Sequence, residues 1–205
     1  RPLCCGRTYL AAGMIDKARV EARRTLEALL PHARAGRLII GLEPSCLLTL
    51  RDEFDALLPG PETAELAEAA MLLEEFIARE TEAGRMNLSL SRNAERAYVH
   101  GHCHQTAAAV MGDMSKALGM IPGLEVQSIQ SSCCGMAGAF GYDASTIDVS
   151  LAMGELSLLP AVRAAEPDAL IVANGTSCPH QIADGTGRKA LHLAQVLERS
   201  MTASA

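Results

Sequence analysis

The chain of 205 residues has no tryptophan, only three tyrosines and only three phenylalanines. The aromatic faces on which single-stranded nucleic acids stack are therefore scarce. Strong cationic charge is missing as well. A net charge of -6 and a pI near 5.5 leave none of the concentrated Lys and Arg that a phosphate backbone requires. Nucleic acid is excluded as a partner, and a protein or a small molecule takes its place. No uninterrupted apolar run approaches the roughly 20 residues that cross a bilayer, so no transmembrane segment is expected and only peripheral docking on a membrane stays open. The short, turn-rich scaffold with a signal peptide in which seven cysteines would pair as disulfides is not what this sequence offers. The thiols are read as reduced, and the protein as cytoplasmic or peripheral at the inner membrane face. With 49% hydrophobic residues the chain has the material for a substantial core.

What is present is a repeat. Cys-Cys-Gly occurs at Cys4-Cys5-Gly6 and again at Cys133-Cys134-Gly135, and each copy is followed by a Ser-Cys step, Ser45-Cys46 and Ser177-Cys178. Cys5 to Cys46 is 41 positions and Cys134 to Cys178 is 44. A cysteine used as a small buried hydrophobe sets no such spacing. Thiolates at matched intervals suit a soft metal centre, either iron-sulfur or zinc.

Short apolar runs at 36–42 and 169–173 read as buried strands, each leading into a turn and a Ser-Cys step. Two more strands are expected at 96–100 and 124–129, just ahead of Cys103 and of the second Cys-Cys-Gly. Helical patterns fill the intervals at 18–30, 47–57, 62–82, 106–118, 147–164 and 190–200. The alternation predicts an α/β fold of two pseudo-repeated parallel-sheet βαβ halves, with cysteine motifs at the carboxyl ends of strands, where open sheets place ligands. Residues 94–205 read as the complete second half and 84–93 as a linker. Residues 1–83 read as a truncated first half carrying an extra acidic amphipathic helix. The start at Arg1-Pro2-Leu3-Cys4, without Met, fits the loss of about thirty residues, a strand and a helix by comparison with the second half.

In the second half Cys103, Cys133, Cys134 and Cys178 supply four thiolates from three loops, enough for one cubane cluster. Cys4, Cys5 and Cys46 are the corresponding ligands in the first half. Gly135 is expected to turn the backbone at positive φ and bring amide N–H groups near the sulfurs. Ser177 as N-cap and Pro179 at the first helical position would place the Cys178 sulfur at a helix N-terminus, where thiolate is favoured. Around Cys103 the run His100-Gly101-His102-Cys103-His104 also suits zinc, although no C-x2-C pair accompanies it. Hydrogen bonds to a cluster, or proton delivery, suit His102 and His104 equally, and His104 is taken as a cofactor-binding candidate. A thiol enzyme cycling between dithiol and disulfide is the third chemistry, disfavoured by the strain of vicinal disulfides.

These residues resemble the cysteine-rich domain marked by paired Cys-Cys-Gly motifs. That domain is found in the cysteine-rich component of heterodisulfide reductase, in glycolate oxidase iron-sulfur proteins and in fused FAD-linked dehydrogenases. Ser132-Cys133-Cys134-Gly135-Met136-Ala137-Gly138 is similar to its core signature, His102-Cys103-His104 to its upstream cysteine, and Asn174-Gly175-Thr176-Ser177-Cys178-Pro179-His180-Gln181 to its downstream one. Pro2-Leu3-Cys4-Cys5-Gly6 and Leu42-Glu43-Pro44-Ser45-Cys46 resemble the fused branch. The resemblance implies a 4Fe-4S electron-transfer domain of an FAD-linked 2-hydroxy-acid dehydrogenase of the glycolate, D-lactate or D-2-hydroxyglutarate type. FAD would sit upstream, in a flavin domain of the same chain or complex, and a quinone or other acceptor would take the electrons. No catalytic residue is expected within these 205 residues. The heterodisulfide reductase version ends in C-x-x-C, whereas Thr49 and Gln181 hold the last position here, which speaks against five-thiolate ligation. A zinc-stabilised assembly module and a thiol-dependent disulfide reductase remain the alternatives.

Overall fold

The computed structural model describes residues 2–202. Two compact units divide between Leu73 and Glu74. The first contains α1 (Arg7–Ala11), α2 (Ile15–Arg34), β1 (Ile39–Gly41), α3 (Pro44–Arg51), α4 (Glu53–Leu57), α5 (Pro61–Ala69) and β2 (Ala70–Leu72). Strands β1 and β2 pair in parallel, Ile39 opposite Ala70. The buried stripe of α2, Ala18, Ala22, Leu26 and Leu30, recurs at helical spacing and lies inside with Phe54 and Leu66.

α6 (Leu73–Glu82) begins at the boundary, and the second unit continues with β3 (Arg96–His100), α7 (Cys103–Ala107), α8 (Met111–Gly119), β4 (Glu125–Ser128), α9 (Ile147–Glu155) and α10 (Leu158–Ala164). β5 (Leu170–Ala173), α11 (Ser177–Thr186), β6 (Ala190–Leu191) and α12 (Leu193–Ser200) complete it. Its sheet runs β4-β3-β5-β6, and every pairing is parallel. The fold is thus α/β, as the alternation of strands and helices predicts. Among the described residues no helix is long and apolar enough to cross a membrane.

Several elements depart from the sequence reading. The single helix expected at 62–82 is interrupted by β2, because Ala70, Met71 and Leu72 take their backbone partners from β1 and Leu72 is fully buried. The helix expected at 190–200 starts only at Leu193, since Ala190 and Leu191 pair with Ile171 and Val172 of β5. The segment 106–118 is split by Ala109, which adopts a left-handed φ of 58°. The patterns at 47–57 and 147–164 likewise each form two helices, breaking near Asp52 and Leu156. Residues 84–93 run beside the end of α12, with Ser91 N donating to Ser200 O (2.8 Å) and Thr202 N to Ser89 O (3.0 Å).

Candidate metal centres

In the second unit, three neighbouring strands deliver the thiols. β3 ends at His100 and leads into Cys103, the first residue of α7. The chain beyond β4 carries Cys133 and Cys134, and β5 leads into Cys178 on α11. Because β4, β3 and β5 are adjacent and parallel, their carboxyl-end loops fall side by side. A ring nitrogen of His100 and the sulfurs of Cys134 and Cys178 lie within 4.8 Å of one another, and all three residues are buried. Cys103, which is exposed, shares a second group of that size with ring nitrogens of His102 and His104.

Electrostatics connect the four thiols. The Cys178 thiol is held well above its usual range, first by its hydrogen bond to Cys134, then by burial, then by the charges of Cys134, Cys103 and Cys133. The Cys134 thiol is drawn down to about 4, chiefly because Cys178 donates to it, with His100 helping against the cost of burial. The two sulfurs share one proton and behave as a unit. Such a pair gives up its remaining proton readily only to a positive centre, which is what a metal supplies.

Gly135 holds the loop in place. Its φ is 94°, and a Cβ there would lie 2.0 Å from Ser150 O, so no other residue fits. Its N–H donates to Cys133 Sγ at 3.3 Å, the amide-to-sulfur contact expected from the sequence. Ser150 Oγ donates back to Gly135 O (2.9 Å), and Gln181 Nε2 donates to Ser150 O (3.1 Å). Gln181, at the position where a fifth cysteine is absent, therefore braces the Cys-Cys-Gly loop. Thr49 in the first unit donates to Ser45 O (2.7 Å), within its own helix.

The first unit repeats the arrangement. Gly6 has φ 83°, and its N–H donates to Cys4 Sγ at 3.4 Å. Cys46, in the first turn of α3, comes within 3.2 Å of Cys5, sulfur to sulfur. The Cys46 thiol is raised by its hydrogen bond to Cys5, by burial and by the charges of Cys5, Glu43 and Cys4, while Cys5 is lowered to about 6, first by Cys46. The three thiols line a cavity of about 330 Å³ whose other walls include Leu29, Leu47 and Leu50.

One local expectation needs correction, and the histidines beside Cys103 have a structural task as well. α11 is capped at Thr176, not Ser177, so Cys178 is the second helical residue and Pro179 the third. The sulfur still lies in the first turn, and proline is tolerated there because those N–H groups have no intrahelical partner. His102 acts as the N-cap of α7: its Nδ1 accepts from His104 N (3.2 Å), and its own N–H donates to Gln105 Oε1 (3.0 Å). His104 is half-buried, its ring 5.1 Å from that of His102.

The sequence reading overlooked Glu74. This carboxylate is 1% exposed and accepts from Gln105 Nε2 and from Asn174 Nδ2 (3.2 Å). Gln105 caps the Cys103 helix, and Asn174 follows β5 on the way to Cys178, accepting from Leu193 N (3.0 Å). One buried group thereby ties two thiol-bearing loops, and burial, outweighing the Gln105 donor, pushes its carboxyl up. The only outward signal is Glu74 on the apolar side of an otherwise acidic helix.

Residues 97–183 match the family model of the CCG cysteine-rich domain. The chain is 27% identical over 201 residues to one component of the anaerobic glycerol-3-phosphate dehydrogenase of Escherichia coli, an alignment covering 97% of this chain and 49% of that protein. It is 27% identical over 194 residues to D-2-hydroxyglutarate dehydrogenase of Escherichia coli, covering 94% of this chain and 18% of the relative. The Pantoea ananatis D-2-hydroxyglutarate dehydrogenase is 25% identical over 193 residues, with 94% and 18% covered. The chain thus spans half or less of the curated relatives it matches. No solved structure matches it.

Proposed function

Residues 97–183 being a cysteine-rich domain of the family that bears the Cys-Cys-Gly motif, we propose that this chain is the iron-sulfur electron-transfer part of an FAD-linked dehydrogenase acting on a 2-hydroxy acid. Cys103, Cys133, Cys134 and Cys178 hold a 4Fe-4S cluster in the second unit, and Cys4, Cys5 and Cys46 contribute to a second centre. When bound, such a cluster accepts and gives up single electrons. The residues of this chain bind and insulate it. Cys134 and Cys178 present buried sulfurs, Gly135 and Gly6 each aim an amide at a ligand sulfur, and Cys103 is exposed. The partners this would require are a flavin on another part of the protein as electron source and a quinone or another acceptor. The D-2-hydroxyglutarate relatives support the substrate class.

The observation that carries the reading is the duplicate geometry: glycine N–H to first-cysteine sulfur at 3.4 Å and 3.3 Å, each beside a second cysteine engaged with a thiol at a helix start. Zinc is the competing occupant, favoured by His102, Cys103 and His104 gathered within 4.8 Å. Anaerobic loading with iron and sulfide separates the two. Broad visible absorption with matching iron and sulfide supports the cluster, and stoichiometric zinc without a chromophore overturns it.

A further inference from the structure

His100 is a fully buried imidazole at the carboxyl end of β3, in register with Ala173 of β5. Its Nδ1 lies 2.8 Å from Ser131 Oγ, two residues before Cys133. Its Nε2 is buried and has no hydrogen-bond partner at ordinary distance. Buried polar groups are rarely left so, because an unmade hydrogen bond there costs about 1–3 kcal/mol. The same ring stands within 4.8 Å of the sulfurs of Cys134 and Cys178. That sets the imidazole beside Cys134, whose thiol it helps to lower.

The surroundings fix the tautomer. Sulfurs that carry negative charge draw the ring proton to Nε2, leaving Nδ1 to accept from the Ser131 hydroxyl. Four cysteines already serve as ligands at this centre, so an imidazole behind Cys134 is placed to donate to sulfur rather than to replace a thiolate. A donor aimed at a ligand sulfur stabilises the reduced, more negative state and raises the reduction potential. We propose that His100 is a positioning residue for the second-unit centre: its Nε2–H donates to Cys134 Sγ, raising the reduction potential, and Ser131 holds the ring in the tautomer that does so. This role rests on the iron-sulfur reading above.

The test uses the full chain loaded anaerobically with iron and sulfide, measuring metal content, midpoint potential by dye-mediated titration, and nitrogen hyperfine coupling of the reduced state. His100→Leu keeps the iron and sulfide of the second unit. It lowers the midpoint enough to raise the oxidised-to-reduced ratio at a fixed potential at least tenfold, which is about 59 mV for a one-electron couple. His100→Gln, which retains an N–H donor, stays close to wild type, and Ser131→Ala shifts the midpoint in the same direction by less. A loaded His100→Leu chain with an unmoved midpoint overturns the role, as does a nitrogen coupling of directly ligated iron that disappears in that variant. If His100→Leu does not fold, an unmoved Ser131→Ala midpoint overturns it. A wild-type chain that takes up no iron defeats the cluster reading and this inference together, whereas a loaded wild type with insensitive variants defeats this inference alone.

Discussion

The sulfur of Cys5 lies 3.2 Å from that of Cys46, although 41 positions of sequence separate the two residues. One proton serves both. Cys46 donates it, and the Cys5 thiol falls to about 6 while the Cys46 thiol rises. In the metal-free chain, alkylation of Cys5 by iodoacetamide should reach half its maximal rate near pH 6, with Cys46 reacting only in alkaline solution. Removing the donor in Cys46→Ala should move the Cys5 midpoint up toward the ordinary thiol value of about 8.5. Peptide mapping by mass spectrometry across a pH series reads both residues at once, and an unshifted Cys5 profile in the variant would contradict the shared proton.

The two motif glycines differ in how closely they are hemmed in. A Cβ at Gly135 would meet Ser150 O at 2.0 Å, while at Gly6 it would meet Ala18 O at 3.0 Å. Both have positive φ, which costs a non-glycine residue about 1–2 kcal/mol. Gly6→Ala should therefore lose roughly that amount in urea unfolding. Gly135→Ala should lose more, because the backbone itself must move, and should fail to load its centre. Equal losses would show that the contact with Ser150 is not what constrains the loop.

Glu74 has a sign that can be checked. Its carboxyl is raised by burial, so the folded state binds its proton more tightly than the unfolded chain does. Its contribution to stability is then complete below the ordinary carboxylate pKa and declines as pH rises through the raised value. Glu74→Gln turns an NH2 group, which has no acceptor lone pair, toward Gln105 or Asn174, whereas even the protonated carboxyl keeps acceptor capacity on both oxygens, and a cost of about 1–3 kcal/mol follows. The loss should be larger at a pH below the ordinary carboxylate range than at one above the raised value, where the wild-type carboxylate bears its own burial penalty. Urea denaturation at the two pH values decides, and a pH-independent difference would remove Glu74 as the titrating group.

Cysteine replacement should divide the metal content between the units. Cys178→Ser is expected to lose about half the bound iron and Cys46→Ser the other half, each leaving the remaining centre's spectrum intact. Iron analysis of the two single variants and the double variant tests this. Complete loss from either single change would contradict two independent centres.

How much of this was legible depends on the length of each signal. Residues 96–100, 124–129 and 169–173 read as strands because β-branched and apolar residues run together there between turn residues. β2 and β6 span three and two residues, too short for any periodicity, and Ala-Met-Leu has strong helix propensity that pairing with β1 overrides. The cysteines stood out because their spacing repeats. His100 did not, since three imidazoles occupy five positions and only the register of β3 shows which one turns inward to the sulfurs. Glu74 was hidden by the abundance of acid around it. Gln181 drew notice as a missing cysteine, but its partner Ser150 is 31 positions away and nothing local connects them.

The contacts from Gly6 to Cys4 and from Gly135 to Cys133 each span two residues. A thiol and the dipole that steadies it are thus encoded together in a tripeptide, independent of the scaffold beyond a site that accepts its left-handed turn. Copying such a cassette within a gene transplants both parts at once. Duplication is then a short evolutionary route from a protein with a single thiol site to one with two.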